Sequence, residues 1–379
     1  MLLHQNSTVE ALTPLPPFSS FRVPMAEHDV FDEGARAAFE TFVREMRPKV
    51  EGRLAAVFEV REREAAAHGR DVAVMVAALR ALTLRGGKRL RAALALAAFR
   101  ATGGDGDEAP AIDVGVALEL LQTYLLVHDD WMDGDLVRRG GPSVHAMLRE
   151  HFGANERGDA SAILAGDFAS ALAQEVVSSL ATSPTRALAV VRRFADIQRD
   201  AVYGQQLDIA GRESDVEAMH ALKTGSYTVR GPLLLGAALA GAGAKAEATL
   251  ARYAAPLGVA FQLRDDVLGT FGDPAQTGKP FGNDLRAGKR TALVVEGERR
   301  LDDRGRAVLA RALGKVDATA DEIAAATDAL AGCGARGAVE SRIDSLLASA
   351  CGELTGDELT AEGSRLLRGA SLSLTARAS

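Results

Sequence analysis

From Phe31 onward, apolar residues recur at helical spacing and break at glycine or proline. No stretch alternates apolar and polar over a useful length, so nothing in the chain reads as a half-buried strand. The expectation is an all-α protein, a helical bundle around a central cavity. Ala and Leu outnumber aromatic and β-branched residues, which favours the same class. Long helices are expected near 33–67, 71–84, 87–101, 109–134, 143–152, 158–182, 184–209, 215–223, 225–242 and 245–271. Shorter ones follow near 289–300, 303–314, 319–331, 334–352 and 357–371. Residues 1–30, with Pro14, Pro16 and Pro17, read as an irregular arm; 31–355 read as one domain. Residues 356–379 read as a C-terminal helix and tail, solvated or flanking a dimer interface.

Hydrophobic residues at 47% and charged residues at 25% describe a soluble globular chain. A net charge of −7 argues against general nucleic-acid binding but leaves room for an anionic ligand held by local cations. Cys333 and Cys351 form no disulfide framework and lack metal-site spacing, as expected of a reducing cytoplasm. The first residues show no basic stretch followed by an apolar run, and no uninterrupted apolar run reaches the length of a membrane span.

The stretch "ELLQTYLLVHDDWMDGDLVRRGG" carries most of the chemistry. On a helix, Asp129 and Asp133 lie one turn apart on one face. The preceding "VALELLQTYLLV" is apolar enough to be internal, where neighbouring carboxylates repel and are expensive to desolvate. Divalent cations offset both terms, and oxygen-only ligands suit Mg²⁺. Taken alone, the motif fits a solvent-facing helix end equally well. A second copy, "VAFQLRDDVLG", again runs an apolar helix into a carboxylate pair, Asp265 and Asp266. Two such elements suggest a metal cluster shared between facing helices.

Cations accompany both. "RGGKRLR" sets Lys88 and Arg91 beside Gly86 and Gly87, where the backbone can approach a ligand. Arg138 and Arg139 follow the first acidic motif, and "GKPFGNDLRAGKRT" adds Lys279 and Lys289. Metal-binding acids beside clustered cations point to a polyphosphate ligand. No strand–GxxxxGK[ST]–helix element is present, so the binder is helical and metal-assisted rather than a P-loop.

From about Gly86 to Thr291 the chain resembles the trans-type isoprenyl diphosphate synthases, the polyprenyl synthetases. The elements that carry the likeness come in order: "GGKRLR", "DDWMD" with "RRGGPSVH", "LAGD", "GQQLD", "KT", "FQLRDD", "GKP" and "DLRAGKRT". The resemblance implies an all-α homodimer that condenses an allylic diphosphate with isopentenyl diphosphate. It assigns three Mg²⁺ to Asp129, Asp133 and Asp265, which draw off diphosphate and leave an allylic cation. Lys88, Arg91 and Arg139 match residues that hold isopentenyl diphosphate. Arg138, Lys223, Lys279 and Lys289 match the set that grips the allylic diphosphate. Thr224 and Gln262, with Lys223, match groups that steady the cation, and Asp208 an acid that orients groups near the metals.

Two positions depart from the family pattern. The second motif reads DDVLG, with Gly269 in its third acidic position, which implies fewer ligands rather than inactivity. Gln122 stands where the family has a histidine touching isopentenyl diphosphate; its amide still donates but carries no charge. Tyr124, five residues before the first Asp, lies about 7 Å below the metal end. With Leu125, Leu121 and Leu118 it forms the expected floor for the growing chain. The resemblance is to short-chain geranylgeranyl diphosphate synthases, so a C20 product is expected, with C15 next and C25 open. A class I terpene cyclase and a non-catalytic partner subunit are the competing readings.

Overall fold

The computed structural model describes residues 32–104, 106–210, 219, 221–272 and 282–375, with the side chains of Ala221, Lys223 and Thr224 outside that description. The fold is all-α. α1 (Glu33–His68), α2 (Arg70–Leu84), α3 (Leu90–Ala101) and α4 (Ala109–Asp133) are followed by α5 (Val144–Phe152), α6 (Asn155–Ser178) and α7 (Pro184–Ala210). A π-helical segment, Ala221–Arg230, leads into α8 (Gly231–Ala240) and α9 (Ala244–Phe271). The remainder comprises α10 (Asn283–Arg286), α11 (Ala292–Arg300), α12 (Asp303–Ala312), α13 (Ala320–Gly332), α14 (Ala335–Gly352) and α15 (Ala361–Thr375).

Apolar faces of α1 to α9, α14 and α15 close over one continuous core. Within it α4 packs chiefly on α6, α3 on α8, and α9 on α14. A smaller core, Leu285, Val294, Leu301, Leu309, Ile323 and Leu330, holds α10 to α13 together. By length and composition α4 and α6 could each cross a membrane, but 78% of the apolar window of α4 is buried inside the bundle. A core helix of a large bundle meets the same compositional test.

Several boundaries differ from expectation for local reasons. α3 starts at Leu90 rather than near 87 because Gly86, Gly87 and Arg89 all have positive φ, which helical backbone excludes. The helix expected over 225–242 is two pieces, a π-helical segment and α8, whose second residue is Pro232. That expected over 215–223 falls mostly outside the described residues. A two-residue ribbon pairs Val137–Arg138 with Gly141–Pro142, where no strand was expected.

The last helix is not solvated. α15 packs on α1 and α3 with Leu366, Leu367 and Leu374 buried. The fully buried Tyr253 of α9 donates its hydroxyl to the Leu367 carbonyl at 2.7 Å, with Ser371 Oγ at 3.0 Å. Tyr253→Phe removes the shorter of two side-chain donors on that carbonyl, leaving Ser371 Oγ at 3.2 Å. A loss of about 1–2 kcal/mol in urea unfolding is expected; an unchanged midpoint would show the bond contributes nothing.

Candidate active site

Both acidic motifs lie at helix C-terminal ends. α4 stops because Gly134 takes φ 71° and the Asp135 N–H caps back to the Asp130 carbonyl at 2.8 Å. Asp129 and Asp133 thus occupy the last two turns, and Asp265 and Asp266 the end of α9. The helix dipole is negative there and acts within the last turn, so Asp133 is disfavoured by its neighbours and by the backbone, and Asp129 and Asp265 chiefly by their neighbours. Acids kept in such places need cations.

Within each motif the two adjacent aspartates divide. Asp130 is fully buried; Arg138 Nε donates to its Oδ1 at 2.6 Å, and Arg138 also reaches Asp135 at 3.1 Å. Burial pushes the Asp130 carboxyl up to about 6, with Arg138 acting against the rise. Asp266 is 5% exposed, accepting from Gln262 Nε2 at 2.9 Å and from the Ala292 N–H at 3.3 Å. Burial pushes it up to about 7. Adjacent helix positions are about 100° apart, so one acid of each pair turns into the packing and its neighbour does not. Asp129 and Asp265 are half-buried, and Asp133 is exposed.

The loop cation ties the two motifs together. Lys289 lies 3.4 Å from Asp284 and also feels Asp133 and Asp208. Desolvation lowers its pKa although the side chain is 57% exposed; these three acids outweigh it and the net shift is upward. Gly269, the departure in the second motif, has Asp284 as a neighbour, which spacing along the chain does not reveal. A Cβ built there would collide with the Asp284 carboxylate, so Asp284 stands where a third acid of that motif would project.

The basic elements gather around Arg139. Gly87, at φ 109°, lets the backbone come within 3.6 Å of the Arg139 guanidinium, measured from an ideal Cβ. Burial lowers the Arg139 pKa; Glu119 opposes the fall, and Arg89, Arg91 and Arg138 add to it. Lys88 is exposed beside them. Arg91 stacks on Tyr227 at 4.6 Å and donates to Thr228 Oγ1 at 2.9 Å. This ties α3 to the π-helical segment that contains Lys223 and Thr224; π-turns recur at functional sites. Lys279 lies outside the described residues.

Three residues brace this arrangement without having been singled out beforehand. Arg85 donates to the Arg138 and Pro142 carbonyls, at 3.2 and 2.9 Å, and so pins the ribbon that carries Arg138 and Arg139. Arg89 is buried against Glu119 at 2.8 Å. Thr228 was invisible because its role depends on a π register that composition does not encode. Gln122 is 6% exposed, and its Oε1 is buried with no hydrogen-bond partner among the described residues, a cost of about 1–3 kcal/mol.

Below the acids, Tyr124 and Leu125 are half-buried, whereas Leu121 and Leu118 are 1% and 0% exposed. The Tyr124 ring meets His128 edge-on at 4.9 Å between centroids. His128 in turn lies against Gly166 of α6, where any side chain would collide with the imidazole.

Among the described residues no compact group of three His, Cys, Asp or Glu forms a ready metal cage. The donor set still fits Mg²⁺, which binds through one or two carboxylates plus substrate phosphates rather than in an all-protein cage. Asp129, Asp133 and Asp265 are acids of that kind, hard oxygen donors on two different helix ends.

Residues 72–330 match the family model described as polyprenyl synthetase. A geranylfarnesyl diphosphate synthase of Aeropyrum pernix is 39% identical over 219 residues, 55% of this chain and 66% of that protein. A geranylgeranyl diphosphate synthase of Mycobacterium tuberculosis is 40% identical over 216 residues, covering 55% and 58%. The crystal structure of a geranylgeranyl pyrophosphate synthase from Corynebacterium glutamicum, complexed with isoprenyl diphosphate and magnesium, superposes with a TM-score of 0.81. That alignment is 31% identical and covers 88% of this chain and 99% of that one. Ordered acids, cations and fold agree, and the chain belongs to the polyprenyl synthetase family.

Proposed function

We propose that the chain condenses an allylic diphosphate with isopentenyl diphosphate, with geranylgeranyl diphosphate (C20) as its main product. As a polyprenyl synthetase it is a prenyl-transferring enzyme. The observation that carries the substrate assignment is the approach of Asp133 of α4 and Asp208 of α7 to Lys289, with the half-buried Tyr124 and Leu125 two to three turns before Asp133 on α4. A ligand matching that arrangement is polyanionic at one end and greasy at the other.

Asp129, Asp133 and Asp265 hold Mg²⁺, which when bound supplies the positive charge that helps the diphosphate leave. Lys289, Lys279, Lys223 and Arg138 neutralise the allylic diphosphate, with Asp208 and Asp284 orienting Lys289. Lys88, Arg91 and Arg139 grip isopentenyl diphosphate, and the Gln122 amide donates a hydrogen bond to it. Thr224 and Gln262 present oxygens to the allylic cation; the Gln262 amide is oriented for this by its bond to Asp266. Tyr124 sets the floor, with Leu125 beside it, and the sealed Leu121 and Leu118 close the route further down. C15 and C25 are the neighbouring alternatives, the latter favoured by the likeness to a geranylfarnesyl synthase.

Exposed Leu164, Leu188, Val202, Tyr203 and Ile209 on α6 and α7 support a homodimer. The two unpaired cysteines support a cytoplasmic location.

The decisive assay incubates the purified chain with Mg²⁺, isopentenyl diphosphate and each allylic diphosphate, and resolves products by chromatography. A linear C20 alcohol after dephosphorylation is expected, and chelation by EDTA is expected to abolish turnover until Mg²⁺ is restored. A cyclic hydrocarbon would replace the reading by a cyclase. Turnover only with a second chain would replace it by a partner subunit.

A further inference from the structure

Beneath the Tyr124 ring, α6 and α7 are joined by polar side chains that neither the fold nor the chemistry above requires. Gln198 of α7 donates through Nε2 to Ser170 Oγ at 2.7 Å. Its Oε1 accepts from Gln174 Nε2 at 2.9 Å. All three are half-buried. The Gln198 side chain also lies beside the Tyr124 hydroxyl, close enough to offset part of the rise that burial and Asp167 impose on that group.

The level of this bridge follows from helix geometry. Lys289 feels both Asp133 and Asp208, so those two acids mark the same end of α4 and α7. Tyr124 lies nine residues before Asp133, a rise of about 13.5 Å, and Gln198 ten residues before Asp208, about 15 Å. On α6, Asp167, Ser170 and Gln174 follow one stripe at spacings of three and four. His128 meets the Ile163 carbonyl at 3.1 Å, and Tyr124 feels Asp167. The stripe therefore descends from the level of Tyr124 to below it.

We propose that chain growth stops at a floor of two layers: the Tyr124 ring, and beneath it the hydrogen-bonded Ser170–Gln198–Gln174 bridge. Gln198 is the positioning residue, holding the phenol over the path. The proposal rests on the reading of Tyr124 as the floor. A hydrocarbon tail that passes the ring meets amides whose hydrogen bonds it can only break and cannot replace. Bulk stops the tail first, and polarity stops it second. Removing the ring alone should therefore lengthen the product less than removing both.

The test compares wild type, Tyr124→Ala, Gln198→Met, Ser170→Ala and the Tyr124→Ala/Gln198→Met double variant, with excess isopentenyl diphosphate and chromatographic product analysis. Gln198→Met keeps volume while removing both hydrogen bonds; Ser170→Ala cuts the bridge from α6. Tyr124→Ala is expected to add one isoprene unit to the main product, and the double variant at least one more. Gln198→Met and Ser170→Ala alone are each expected to raise the longer minor product about tenfold, with KM for isopentenyl diphosphate unchanged. An active double variant with the same product distribution as Tyr124→Ala overturns the second layer and leaves the floor reading standing. An active Tyr124→Ala enzyme with wild-type products overturns the floor reading itself. If Gln198→Met fails to fold, the Tyr124→Ala/Ser170→Ala pair decides by the same comparison.

Discussion

Asp129→Asn is expected to lower kcat/KM by about three orders of magnitude or more while leaving the fold intact. A metal-held leaving group is worth several kcal/mol of transition-state charge stabilisation, and each 1.36 kcal/mol is a factor of ten. Asparagine keeps the shape but offers the cation a neutral oxygen. The same change removes a negative charge from the negative end of α4. The variant should therefore stay within about 1 kcal/mol of wild type in stability. Activity then falls without a matching loss of stability, which a folding defect does not do. Steady-state kinetics over a Mg²⁺ titration, beside a urea melt, measures both. A variant within tenfold of wild type at all Mg²⁺ concentrations would remove Asp129 from the metal site.

Arg89→Ala is expected to be the most damaging single change outside the acids. The Arg89 side chain has no exposure, and its partner Glu119 is 5% exposed at the side chain. Its guanidinium donates to Glu119 and to the Thr83 carbonyl, both at 2.8 Å, and to Glu51 at 3.3 Å. Truncation strands a buried carboxylate, and breaking such a pair typically costs about 3–5 kcal/mol. The residue sits at φ 51°, closing the turn that presents Lys88, so activity should fall with stability. Replacing both partners, as Arg89→Met with Glu119→Leu, should recover most of the stability, because a buried pair adds little over well-packed apolar groups. Chemical denaturation of the single and double variants decides. If Arg89→Ala loses less than about 1 kcal/mol, the pair is not the brace described.

The all-α class and the long helices were legible because an apolar stripe repeats for many turns and survives small errors of register. The α4 motif was legible in detail: spacing alone placed Asp129 and Asp133 one turn apart. The different fates of Asp129 and Asp130 were also within reach of helix periodicity, since adjacent residues cannot share a face. Three features were not. The π register at Ala221–Arg230 leaves no trace in composition, and with it went the Arg91–Thr228 bond. The Gln198 bridge joins residues on two helices whose facing is decided by packing. The burial of α15 depends on a groove offered by α1 and α3, about which its own amphipathic pattern says nothing.

Gly269 has a consequence for how the site is assembled. A carboxylate at that position would be carried by α9 itself, covalently in step with Asp265. At this protein's site the nearby carboxylate comes from Asp284, on the four-residue α10, whose Leu285 is anchored in the smaller core. The carboxylate at the Gly269 position is thus a property of how two cores are docked, not of one helix. A substitution in the smaller core, far from any substrate, can therefore change the electrostatics of the reaction without touching a reacting group. In that sense the smaller core acts as a tuning element for the larger one.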